Sequence, residues 1–404
     1  MHEESSGPSA ARETGRLNAG DAARLDALYE TLATATTDFL GYPVSKDFEV
    51  GALQRFLEFP VNNLGDPFVE STFMVGTREL EREVIRFMAD FLRAPVDGTW
   101  GYVTNGGTEG NLYGLYLARE LLPRGIVYCS EDTHYSVAKN IHFLGLRSIT
   151  IRSQKNGEID YLDLRETLRI HRDKPAILFA NIGTTMTEAR DDIRAMQAIL
   201  DELAIRDRYI HSDAALCGGY APFLDPRPPF DFADGADSVS ISGYKFFGSP
   251  MPCGIVLARK RHVDRIARSI GYIGSLDTTI TGSRNGFTPL VLWHRIKSLG
   301  LDGLRRRAES ALAMAAYAEA RMRDAGIAAW RNPNALTVVF PKVGDALRKR
   351  WQIATQGISH LVVMPNVTRA QIDALVADLV EDDRRAASRT PAPGMALSTR
   401  EACA

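Results

Sequence analysis

The chain has 404 residues, 45% of them hydrophobic, which is enough for a large core and a second, smaller domain. Lys and Arg total 48 against 50 Asp and Glu, so the formal net charge of -2 gives no electrostatic basis for nucleic acid or an anionic membrane as partner. No apolar run approaches the roughly 20 residues that a membrane helix needs, and a small molecule is the partner class that remains. Cys129, Cys217, Cys253 and Cys403 form no CxxC pair, and three of them lie in apolar or Gly-rich surroundings, which fits a reducing cytoplasm.

Residues 1–20 lack an apolar signal core and carry acidic side chains, so they read as a disordered arm. An N-terminal segment over 21–66 mixes helical periodicity with a GYP turn and the polar loop VNNLGDPF. Leu80, Val84, Phe87, Met88 and Phe91 recur at helical spacing and predict a one-faced helix from Glu79 to Leu92. The runs TWGYV, IVYCS, SITIR, AILFANIG, YIHSD and SVSIS then alternate with helical stretches. Most are apolar on both faces, which predicts a mostly parallel sheet covered by helices in a large domain over 67–300. GIVLAR follows SVSIS too closely for a helical crossover and is expected to pair antiparallel. The Gly- and Thr-rich stretch GYIGSLDTTITGSRNGFTPL reads as a functional loop ahead of a helix from about Asp302 to Asp324. ALTVVFP, HLVVMP and a helix from Thr368 make a small C-terminal α/β domain over 301–384, and 385–404 reads as a disordered tail.

Three motifs carry chemistry. In TNGGTEGN, Thr104 to Asn111, a Gly-rich turn opens a helix and aims unpaired N–H groups at one point, a seat for a phosphate; with no Lys after the last Gly, a nucleoside triphosphate is disfavoured. In YIHSDAALCG an apolar strand ends in Asp213, where a carboxylate can keep a pyridinium nitrogen protonated or simply cap a helix. In SVSISGYKFFGSP a strand runs into a turn bearing Lys245 between aromatic residues, where a desolvated amine becomes nucleophilic. Each has an ordinary structural reading alone. Their conjunction is the parts list of a pyridoxal 5'-phosphate site. His134 in EDTHYSVAKN can stack on the flat face of that cofactor, and no His or Cys spacing suggests a metal.

These motifs, with WGYVTNGGTEGN, NGEIDY, NIGTT, HSDAAL, SPMPCGI, TITGSRNG and WRNPNALTVVFP, resemble the group II pyridoxal-phosphate-dependent amino-acid decarboxylases, and within them the bacterial histidine and plant serine decarboxylases. The resemblance runs from about Gly41 to Thr368. It implies the aspartate-aminotransferase-like fold type I: a mostly parallel seven-stranded sheet in the large domain, a small C-terminal α/β domain, and a homodimer with shared active sites. It makes Lys245 the Schiff-base lysine, Asp213 the partner of the pyridine nitrogen and His134 the stacking residue. Gly107, Thr108 and Ser242 would contact the phosphate, Thr184 and Ala215 the ring, and Asn63 the substrate. Tyr272, in the irregular loop, would return a proton to the α-carbon.

The chain departs from its relatives where they carry SGHK and GSRNGH: Tyr244 and Phe287 replace two imidazoles. Tyr244 can still donate to the phosphate. The stretch containing Phe73 and Met74 differs as well, so Phe73, Met74 and Phe287 are placed with substrate side-chain recognition. The expected reaction is decarboxylation of an L-amino acid to an amine and carbon dioxide. Two alternatives share the cofactor: an oxygen-using oxidative deamination that yields an aldehyde, and a C–S lyase acting on a modified amino acid. A non-enzymatic scaffold would be free to lose Lys245, Asp213 or the phosphate cradle, and all three are present.

Overall fold

The computed structural model describes residues 17–95, 97–270 and 275–389. The described residues 17–39 form a unit of their own. It consists of helix α1 (Ala19–Thr37), started by Asn18, whose side chain accepts from the Asp21 amide at 2.9 Å. Leu25, Leu28, Tyr29 and Leu32 share one face of α1 and are exposed.

The described residues from Leu40 onward form one compact unit. It opens with α2 (Arg78–Phe91), β1 (Thr99–Thr104), α3 (Gly107–Leu121), β2 (Ile126–Ser130), α4 (Tyr135–Phe143), β3 (Arg147–Ile151) and α5 (Tyr161–Ile170). There follow β4 (Ala176–Asn181), α6 (Ile193–Glu202), β5 (Arg208–Asp213), β6 (Ser238–Ser242), β7 (Gly254–Arg259), α7 (Lys260–Val263), β8 (Arg268–Ile270) and β9 (Ser275–Asp277). The remainder comprises α8 (Phe287–Asp324), β10 (Thr337–Pro341), α9 (Asp345–Arg350), β11 (Ala354–Gln356), β12 (Ile358–Val362) and α10 (Arg369–Arg389).

Seven strands form one sheet in the order β1-β7-β6-β5-β4-β2-β3. From β3 to β6 every pairing is parallel; β7 lies antiparallel to both β6 and β1, as the short connection after SVSIS requires. The two-residue alternation of the strands sorts their side chains into two cores. Val127, Ile177 and Phe179 join Tyr113 and Leu117 of α3 and Ile141 of α4 on one face. Tyr128, Leu178, Ala180 and Ile210 join Val84 and Met88 of α2 and Ile193 of α6 on the other. Both faces are therefore buried, which is why these strands read as continuous apolar runs.

β10, β12 and β11 make a separate antiparallel sheet. Its residues Val338, Phe340 and Leu361, with Ile372 and Leu375 of α10, belong to the same buried cluster as the main sheet, so the expected small domain shares the large domain's core. The expected boundary at 301 falls just beyond a kink in α8, where Gly300 adopts φ 60°. That helix begins at Phe287, earlier than periodicity places it.

Candidate active site

Strand register gathers the chemistry at one edge. Asn181 of β4 pairs with Asp213 of β5, and Asp213 pairs with Ser240 of β6. Gly254 of β7 pairs with Ser242 on one side and with Thr104 on the other. The carboxyl ends of β4, β5, β6 and β1 thus lie side by side, the place where open α/β sheets bind ligands.

At that edge β1 turns through Asn105 and Gly106 into α3. Gly106 has φ 155°, in the region that favours glycine. Glu109 reaches back to accept from the amide of Asn105 at 2.9 Å and from its side chain at 2.7 Å, which pins the turn. No side chain caps α3, so its first N–H groups remain available to an anion. A Cβ on Gly107 would lie 2.8 Å from Ser242 Oγ and 3.5 Å from Ala215 Cβ, so the helix start, the serine hydroxyl and the chain after Asp213 converge. A phosphate fits this cradle.

Asp213, 7% exposed, accepts from the Asn111 side-chain amide at 2.7 Å on Oδ2 and from the Ala215 N–H at 3.1 Å on Oδ1. Two donors on its oxygens fix the carboxyl group beside the cradle, where it suits a protonated ring nitrogen. Lys245 stands in the turn after β6, anchored by the buried rings of Phe246 and Phe247 and by the Gly243 N–H donating to Cys253 O at 2.8 Å. Burial lowers its pKa below the usual lysine value, and the Asp213 carboxylate pulls the other way. No side-chain hydrogen bond or ion pair engages the amine among the described residues, which leaves it free to condense with an aldehyde.

His134 caps α4, its Nδ1 accepting from the Ser136 N–H at 3.3 Å. Burial, with Lys245 and Lys139 nearby, lowers its pKa against the pull of Asp213. The neutral ring therefore carries its proton on Nε2. Thr184 is buried, its hydroxyl 2.9 Å from that of Thr187 and accepting from the Ala189 N–H at 3.0 Å. Thr108 is exposed on α3, its carbonyl accepting from Asn140 at 2.9 Å. Burial raises the Tyr244 phenol, with the Ser242 hydroxyl beside it acting in the opposite sense.

The sequence assigns four residues to the substrate. Asn63 is wholly buried: its Nδ2 donates to Glu81 at 2.8 Å and its Oδ1 accepts from the Thr77 N–H at 2.8 Å. Both ends of the amide are engaged, so it braces its loop. Phe287 packs with Leu53, Leu290 and Val291 in a separate apolar cluster. Met74 is 83% exposed, and Phe73 is partly buried with its carbonyl facing Arg78. Tyr272 lies outside the described residues. Asn111 and His211 escaped the sequence reading although each sits inside a motif already singled out.

The pyridoxal-dependent decarboxylase conserved domain matches residues 69–340. The chain belongs to the pyridoxal-dependent decarboxylase family. It is 52% identical to a histidine decarboxylase of Mesorhizobium japonicum over 368 residues, covering 91% of this chain and all of that one. It is 46% identical to the histidine decarboxylase of Morganella morganii, covering 91% and 98%. Among solved structures, L-methionine decarboxylase from Streptomyces sp.590 superposes with a TM-score of 0.83 at 29% identity, covering 92% of this chain and 97% of that one. The pyridoxal-dependent amino-acid decarboxylase so identified has the fold type I architecture, and pyridoxal phosphate is its cofactor.

Proposed function

We propose that this enzyme removes the α-carboxylate of L-histidine, releasing the corresponding amine and carbon dioxide, with Lys245, Asp213 and His134 at its catalytic centre. The convergence of the α3 cradle, Asp213 and Lys245 at one sheet edge supports the assignment of residues. Identities of 52% and 46% with histidine decarboxylases, each over 91% of the chain, support the substrate.

Bound pyridoxal phosphate supplies an aldehyde and a ring that draws electrons from the α-carbon. Lys245 provides the amine that holds it, with the free base favoured by burial. Asp213 keeps the ring nitrogen protonated. The amides of Gly107 and Thr108 and the Ser242 hydroxyl hold the phosphate, and Tyr244 adds a phenolic donor where relatives carry an imidazole. Thr184 and Ala215 would flank the ring. His134 would stack on its face and, through Nε2–H, could offer a proton toward the α-carbon; Tyr272 is the second candidate donor.

A homodimer in the cytoplasm completes the proposal. Leu57, Phe59 and Met74 are 66%, 58% and 83% exposed, an amount of open apolar surface that suits burial against a second copy. There Phe73 and Met74 would serve that copy's site, in keeping with the exposure of Met74.

The deciding experiment offers the cofactor-loaded enzyme histidine, serine, methionine and S-substituted amino acids, with and without oxygen. Histidine should be preferred, with equal yields of amine and carbon dioxide and no oxygen uptake. Preference for methionine or serine refutes the substrate. Aldehyde with oxygen consumption, or thiol release, refutes the reaction.

A further inference from the structure

Behind Asp213 runs a chain of buried polar groups that ends nowhere near solvent. Asn111 Oδ1 lies 2.9 Å from His211 Nε2, His211 Nδ1 lies 2.7 Å from Ser238 Oγ, and Tyr209 OH donates to Ser238 Oγ at 2.9 Å. Asn111 is 2% exposed, His211 and Ser238 0%, and Tyr209 1%. A polar chain this deep has to satisfy every member from within.

An ionised carboxylate only accepts, so the Asn111 amide must turn its N–H₂ toward Asp213 and its oxygen toward His211. The imidazole then has to carry its proton on Nε2 and accept on Nδ1, from the Ser238 hydroxyl. Ser238 in turn accepts from the Tyr209 phenol. With Asp213 ionised, all the donors run one way, from Tyr209 to the carboxylate. Were Asp213 protonated on Oδ2, the last link would face a donor with a donor, so the Asn111 amide disfavours a proton on that oxygen.

The fold makes room for this chain. Gly107, Asn111 and Gly114 follow one another at helical spacing along the face of α3 turned to the sheet. A Cβ at Gly114 would stand 2.2 Å from His211 Nδ1 and one at Gly110 2.2 Å from Ser240 Oγ, so two glycines let the helix settle onto the imidazole and the strand. Burial pushes His211 down to about 3, which keeps the ring neutral and its single tautomer intact at working pH.

We propose that Asn111 and His211 are positioning residues that hold Asp213 ionised toward the cofactor's ring nitrogen, through a one-directional hydrogen-bond relay begun by Tyr209 and Ser238. The inference rests on Asp213 facing that nitrogen. A hydrogen bond to the charged form of an acid favours that form. Without it the shared proton moves from the ring to the carboxylate, the ring withdraws fewer electrons, and the cofactor's linkage to Lys245 becomes more basic.

The test is the pH titration of the visible band of the bound cofactor in the holoenzyme, with Asp213→Asn as reference. The relay predicts that Asn111→Leu raises the spectral pKa by about one pH unit, His211→Phe raises it by about half a unit, and His211→Gln, which returns a donor, moves it back toward the parent. If Asp213→Asn raises it while folded Asn111→Leu and His211→Phe leave it unchanged, the relay is wrong and the Asp213 assignment survives. If Asp213→Asn itself leaves it unchanged, the assignment of Asp213 falls and the relay with it. A measurement on the parent enzyme needs no variant to fold: nitrogen-15 spectra of histidine-labelled holoenzyme should show His211 as the Nε2–H tautomer. The Nδ1–H tautomer would contradict the direction assigned to every bond.

Discussion

Lys245 sits between two opposing influences, burial that drives off its proton and the Asp213 carboxylate that holds it. Lys245→Ala should abolish turnover, and Lys245→Arg should do the same, because a guanidinium stays protonated and cannot condense with an aldehyde. Asp213→Asn should lower kcat/KM about 10³-fold, measured as carbon dioxide release under saturating cofactor. His211 sets a pH dependence of stability. Its folded pKa of about 3 lies below the unfolded value of about 6.5, so below that higher value the unfolded chain takes up a proton the folded one refuses. Stability should fall with falling pH between those values, by up to about 1.4 kcal/mol per unit from this group. His360, also lowered by burial, contributes a slope of the same sign. Denaturant unfolding at stepped pH should give a shallower acid slope for His211→Phe than for the parent; equal slopes would show that His211 titrates normally. At this scale the sequence marks Lys245, Asp213 and Gly107 because each follows or ends a strand, or opens a helix, within its own motif. Asn63 was not, since its burial is decided by Glu81, on a helix the loop reaches only in the fold.

Helix α3 shows how an element bends ordinary propensity to the site. Replacing a helix-interior Gly by Ala normally stabilises by about 1 kcal/mol. At Gly110 and Gly114 the added methyl would meet Ser240 Oγ and His211 Nδ1, each at 2.2 Å, so both substitutions should instead destabilise, by about 1 to 3 kcal/mol, in denaturant unfolding. Gly114→Ala should also weaken cofactor retention on dialysis, since it presses on the ring behind Asp213. Strands of the main sheet could be read from apolar runs because helices cover both faces. The antiparallel β7 was legible from the length of its connection alone. The start of α8 at Phe287 was not, because TGSRNGF carries the chemistry of a loop, and Asn285, which caps the helix by accepting from the Phe287 N–H at 2.8 Å, looks like one more loop residue.

For the whole molecule, the loop bearing Asn62 and Asn63 is tied to the segment before α8 through a buried ion pair. Arg284 meets Glu81, donates to Gly65 O at 3.0 Å, and Glu81 also accepts from the Val103 N–H at 2.8 Å. Breaking one partner leaves the other charge buried, so Arg284→Leu should cost about 3 to 5 kcal/mol, read by denaturant unfolding. Light scattering of the eluted enzyme should give twice the mass of one chain, and Met74→Arg should lower dimer affinity; a monodisperse monomer would contradict the shared-site arrangement. The sequence predicts a small C-terminal domain from 301, and in the fold its sheet contributes to the same buried cluster as the main sheet; that shared packing was not legible, because Val338 and Leu361 look like any half-buried strand until their partners are known. The most direct test of the account as a whole is borohydride reduction of the cofactor-loaded enzyme, followed by peptide mapping. The pyridoxyl mass should appear on the peptide carrying Lys245 and nowhere else, whereas a label on another lysine, or none on saturated enzyme, would contradict it.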